Sequence, residues 1–133
     1  MFKSLVTKSW FMLLLMSAIV SLLVVACGSS AGTDSSSSNT VHMNDSNFIQ
    51  SSITIKKGEK VTLVADTFTP HIISNGTWAN GTAKPAKESG VPNIKDEQVG
   101  GNSSSTIGPF TTTGTFHLYC TIHSGMNLDV IVQ

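Results

Sequence analysis

Residues 114–133 read GTFHLYCTIHSGMNLDVIVQ. A period of two runs through both halves: Phe116, Leu118 and Cys120 share one face, and Leu128, Val130 and Val132 share another. Two strands joined by a short turn are predicted. At that turn Cys120, His123 and Met126 recur every three residues. A thiolate, an imidazole and a thioether on so short a loop are soft or borderline donors that can converge on one metal ion.

The same period extends upstream. Residues 52–66, SITIKKGEKVTLVAD, alternate through Ile53 and Ile55 and again through Val61, Leu63 and Ala65, with Lys57-Gly58 as the turn between two strands. No helical stripe with caps follows the first 40 residues. The expected fold is therefore all-β, an antiparallel Greek-key β-sandwich or barrel. Between Ile73 and Ser104 the chain is rich in Gly, Asn, Ser and Lys. A long loop is expected there, with at most a short strand around residues 77–79, and loops of that length in small domains are often functional.

The first residues address the chain. Lys3 and Lys8 precede an uncharged apolar run over residues 10–26, the pattern of an export signal. The run ends in VVAC, and the small residue before Cys27 resembles a bacterial lipoprotein cleavage site, so residues 1–26 are expected to be removed and Cys27 lipidated. The alternative is an uncleaved N-terminal transmembrane anchor, because the run approaches the ~18 apolar residues of a span. Either way the remainder is expected outside the cytoplasmic membrane and tethered to it. Residues 28–40, GSSAGTDSSSSNT, cannot bury a core and read as a flexible tether with a reach on the order of 20 Å. Residues 41–133 form the folded domain, expected to be a monomer.

Charge removes one class of partner. There is no Arg and no basic cluster, and after Cys27 acidic residues outnumber lysines, so the electrostatic footprint of nucleic-acid binding is absent. No Ser-His-Asp, paired-carboxylate or P-loop pattern appears, and no enzyme is expected. A Cys27–Cys120 disulfide would staple only a floppy tail, which leaves Cys120 a lone thiol in an oxidising compartment and in need of a reason.

A fourth donor must come from another histidine. His42 and His117 read as surface or packed imidazoles. His71 stands at the end of an alternating strand, with Pro70 stiffening the backbone before it. At this point TPHII and the downstream GTFHLYCTIHSGM resemble the cupredoxins, the small copper proteins that include plastocyanin and amicyanin, over the whole of residues 41–133. The C-x-x-H-x-x-M spacing is similar to that of amicyanin.

The resemblance implies one type 1 (blue) copper ion, with His71, Cys120 and His123 as strong ligands and Met126 as a weak axial one. Two imidazoles, a thiolate and a long thioether bond suit electron transfer by Cu(I)/Cu(II) cycling. The implied partners are redox proteins of a membrane electron-transport chain. The resemblance also makes His123 an electron port within an apolar patch, for which Pro109, Phe110, Ile122 and Trp78 are candidates. Relatives often carry Asn after the upstream His; Ile72 stands here, with Asn75 as a possible substitute for the link it makes. The alternative function is a carrier delivering copper to a membrane oxidase, but no Met/His-rich tract is present. A metal-free interaction module is the third reading.

Overall fold

The computed structural model describes residues 39–133. The signal, Cys27 and all but the last two tether residues lie outside the described residues. Nine strands follow in order: β1 (Thr40–Met43), β2 (Ser52–Ile55), β3 (Val61–Ala65), β4 (His71–Ala79), β5 (Thr82–Pro85), β6 (Glu97–Val99), β7 (Ser104–Ile107), β8 (Gly114–Cys120) and β9 (Asn127–Val132). One sheet has the order β1-β3-β7; the larger has β2-β9-β8-β4-β5, with β6 also on β4. No helix is found among the described residues. The fold is an all-β, Greek-key-like sandwich.

The C-terminal pair behaves as its alternation requires. β8 and β9 pair antiparallel from Gly114↔Val132 to Tyr119↔Asn127, and Phe116, Leu118, Cys120, Leu128, Val130 and Val132 all enter the core. The Lys57-Gly58 turn does not make a hairpin, however. β2 pairs parallel with β9, while β3 pairs parallel with β1 and antiparallel with β7. The chain crosses from one sheet to the other at this turn. Both strands still direct Ile55, Val61, Leu63 and Ala65 inward, because the core lies between the sheets.

Nearly half of the segment expected to be a long loop is strand. β4 runs for nine residues, and β5 and β6 both pair with it. The middle of β4 is Ser74, Asn75 and Gly76, all buried, so it lacks the apolar alternation by which strands are recognised. The returning chain meets most polar groups of Asn75: its N–H donates to the Ile94 carbonyl at 2.9 Å, its carbonyl accepts from Ala86 N–H at 3.3 Å and its Oδ1 from Ile94 N–H at 2.7 Å, with Nδ2 alone left unpartnered. A buried polar strand is tolerable when its donors and acceptors are paired in this way.

Candidate metal centre

Strand register brings the ligand candidates together. β4 and β8 are antiparallel with Ile73 opposite Cys120, so the start of β4 lies beside the end of β8. His71 is two residues before Ile73 and therefore on its face, the face Cys120 also takes. Thr121 N–H donates to the Ile72 carbonyl at 2.8 Å and ties the start of the following loop to β4. That loop closes on itself: Cys120 N–H donates to the Met126 carbonyl at 3.0 Å and Met126 N–H to the His123 carbonyl at 3.3 Å. The link between the two ligand segments is thus backbone, and Asn75 does not supply it.

Three donor atoms converge. Cys120 Sγ lies 3.4 Å from His123 Nδ1 and 3.9 Å from His71 Nδ1, and the two Nδ1 atoms are 3.2 Å apart. Separations of this size are what one ion with bonds of about 2.0–2.3 Å would span. His71, Cys120 and His123 form the one such cluster of His, Cys and acidic groups found among the described residues. His71 and Cys120 are fully buried, Met126 is buried on the same loop, and His123 is half-buried. Cys120 is a free thiol.

The surroundings of His71 favour its metal-binding form. Burial lowers the pKa of His71, the nearby His123 lowers it further, and the Asn44 carbonyl and Asp45 oppose both. A neutral imidazole is the form that binds metal. His71 Nε2 is buried without a hydrogen-bond partner in the protein. With Nε2 carrying the proton, Nδ1 keeps its lone pair for the centre. The chemistry of the set, two imidazoles and one cysteine sulfur with His71 and Cys120 packed away from water, fits copper.

The structure corrects part of the apolar patch. Phe110 is 0% exposed and packs in the core, its ring stacked on Phe116. Ile107 pairs with Val61 at the start of β3, and Phe110 N–H donates to the Glu59 carbonyl, so Pro109 and Phe110 sit by the 56–60 turn. His71 follows the other end of β3, so both residues lie at the wrong end of the sandwich for an electron port. Ile122, beside His123, is 51% exposed. Phe68, which sequence reasoning missed, is 90% exposed in the segment leading to His71. Its only signal was an apolar residue in a polar loop. Trp78 is half-buried, with its indole N–H on the Cys120 carbonyl at 2.8 Å.

The remaining histidines are surface groups: His42 Nδ1 is 2.8 Å from Asp66, and His117 Nδ1 is 2.8 Å from Asp129. Asp45 was also missed. It accepts a hydrogen bond from Thr69 Oγ1 at 2.8 Å. Bonds from Thr67 and Thr69 hold its carboxyl below the usual carboxylate range, and the imidazoles of His71 and His123 add a smaller pull.

Residues 35–133 match the copper binding proteins of the plastocyanin/azurin family. Among solved structures, amicyanin from Paracoccus versutus (Thiobacillus versutus) is similar at 23% identity and a TM-score of 0.55, over 71% of this chain and 79% of that one. A reduced amicyanin mutant is similar at 21% identity and a TM-score of 0.53, over 71% and 80%. At these identities the likeness concerns the fold. No curated protein matches the sequence. The family match spans the whole described domain and includes the His71, Cys120 and His123 cluster: the chain belongs to the plastocyanin/azurin family of copper-binding proteins.

Proposed function

We propose that the protein is a blue-copper electron carrier, not an enzyme, in which His71, Cys120 and His123 would hold one copper ion and Met126 would be its weaker fourth donor. The observation that carries this reading is the convergence of two imidazole nitrogens and one thiol sulfur within 4.8 Å of one another. Bound copper would supply a one-electron couple there.

The chain's own residues account for the rest of the activity. Buried His71, Cys120 and Met126 keep water from the centre. The closed 120–126 loop and its backbone tie to β4 hold the donors in place, so little rearrangement accompanies a change of charge. Half-buried His123 is the port, with Ile122 and Phe68 as apolar contacts at the same end of the sandwich. Contacts of this size suit short-lived redox encounters. We assign the partners to a membrane electron-transport chain and place the protein on the outer side of a bacterial cell membrane, held by lipidated Cys27 through the Gly/Ser-rich segment that follows it. That placement rests on the leader sequence alone. Burial of three of the four donors favours a carrier of electrons over a carrier of copper.

Voltammetry of the copper-loaded, full-length protein tests the proposal. A reversible one-electron wave that disappears in Cys120→Ser is expected. A folded, copper-loaded protein without such a wave would contradict it.

A further inference from the structure

One residue of β4 holds both ends of the ligand loop. Trp78 Nε1–H donates to the Cys120 carbonyl at 2.8 Å. The Trp78 backbone N–H donates to Asn127 Oδ1 at 2.7 Å, and its carbonyl accepts from Asn127 Nδ2 at 3.1 Å. Thr77 Oγ1 donates to the same Asn127 oxygen at 3.3 Å. Cys120 opens the loop, and Asn127 immediately follows Met126, which closes it. The indole is itself fixed, edge-on to Tyr119 with ring centroids 6.1 Å apart.

The support beneath Trp78 is rigid. β4 crosses β5 so closely at Gly76, where φ is +131°, that a Cβ there would stand 2.5 Å from the Lys84 carbonyl oxygen. Only glycine fits such a crossing without a shift of backbone. The clamp therefore reaches the loop from the sheet itself. Sites supported from rigid elements hold their geometry better than sites supported by loops alone.

We propose that Trp78 is a positioning residue for the metal centre, acting with Asn127 to keep the Cys120–Met126 loop in its metal-binding shape before metal arrives. The proposal rests on the copper reading above. The hydrogen bond sets the plane of the peptide that follows Cys120, and that plane determines where the Cα–Cβ bond, and so Sγ, points. The positive end of the indole N–H dipole faces the ligand residue. It disfavours the added positive charge of the oxidised metal, so the donor raises the reduction potential. The indole N–H is bonded to the Cys120 carbonyl, so the action runs through the backbone.

Trp78→Phe keeps the ring and deletes the donor. Asn127→Asp keeps the acceptor for Trp78 N–H and deletes the donor to the Trp78 carbonyl. In the metal-free, full-length protein, amide exchange over residues 121–126 is expected to rise about tenfold in Trp78→Phe, while exchange in β3 and β9 stays unchanged. In the copper-loaded protein the thiolate-to-copper band shifts and the potential falls. Asn127→Asp raises the metal-free exchange less and in the same direction, and that readout serves as the test if Trp78→Phe does not fold, because a carboxylate at 127 lowers the potential by its own charge. Unchanged exchange, band and potential in the folded variants would overturn the clamp. So would a uniform rise of exchange across the sheets, which marks a general structural role. If the unsubstituted protein shows no thiolate-to-copper band, the copper reading fails, and the metal-free exchange comparison still decides the clamp.

Discussion

Nδ1 of His71 stands 3.2 Å from Nδ1 of His123, although 52 positions of chain separate them. Two imidazole nitrogens brought this close, with the Cys120 sulfur 3.4 Å from one and 3.9 Å from the other, set three donor atoms around a common point. A cation at that point satisfies all three donors, whereas a shared proton satisfies only one contact. The arrangement exists because the β4–β8 register sets residue 71 level with the loop after residue 120.

Acid should weaken the metal-free fold in two separate windows. Burial lowers the His71 pKa from the ordinary value of 6.5. The unfolded chain therefore binds a proton that the folded one refuses, and stability falls as pH drops through about 6.5 toward the lowered folded value. Asp45, lowered from 3.8 by its threonine hydrogen bonds, contributes stability above that pH that is lost as pH falls through its folded value. Melting of metal-free protein from pH 8 to pH 3 should show both steps, and His71→Gln should remove the upper one. A flat profile between pH 8 and pH 5 would count against the buried imidazole.

Gly101→Ala should disturb the site without touching a ligand. A Cβ at residue 101 would stand 2.1 Å from the Phe68 carbonyl oxygen and 2.3 Å from its carbon, so the segment leading to His71 must move. Overpacking of this kind costs about 1–3 kcal/mol, and copper affinity should fall with it. A melting temperature equal to that of the unsubstituted protein would show that the segment yields freely.

Phe68→Ser separates docking from folding. A residue 90% exposed contributes little to the core, so stability should stay within about 0.5 kcal/mol. Electron self-exchange between reduced and oxidised protein, read from NMR line widths, should slow several-fold if Phe68 belongs to the port. An unchanged rate would confine the port to His123 and Ile122.

Cys27 decides the anchor. Mass spectrometry of protein from bacterial membranes should find a chain that starts at Cys27 and carries lipid, and Cys27→Ser should retain the leader. A native chain that starts at Met1 without lipid would establish the uncleaved anchor instead.

What the sequence made legible follows from how each element earns its burial. β8 and β9 carry one face of apolar side chains, so Phe116 to Val132 could be assigned without coordinates, and the spacing of Cys120, His123 and Met126 came with them. β4 could not be assigned in the same way. Ser74, Asn75 and Gly76 are buried against the returning 84–96 segment, at Asp96, at Ala86 and Ile94, and at Lys84 to Ala86 respectively, a tertiary event that leaves no local period. Pro109 and Phe110 were misplaced for a related reason: their apolar character was plain, but which end of the sandwich they reach depends on the β3–β7 pairing. The Trp78–Asn127 contact joins residues 49 apart and left no trace in either segment.

The most direct measurement is the visible spectrum of the folded, full-length protein as one equivalent of Cu(II), then a reductant, then an oxidant are added. The account predicts an intense thiolate-to-copper band that saturates at one equivalent, bleaches on reduction, returns on oxidation and is absent from Cys120→Ser. A folded protein that binds copper without that band would contradict the claim that His71, Cys120 and His123 share one redox ion.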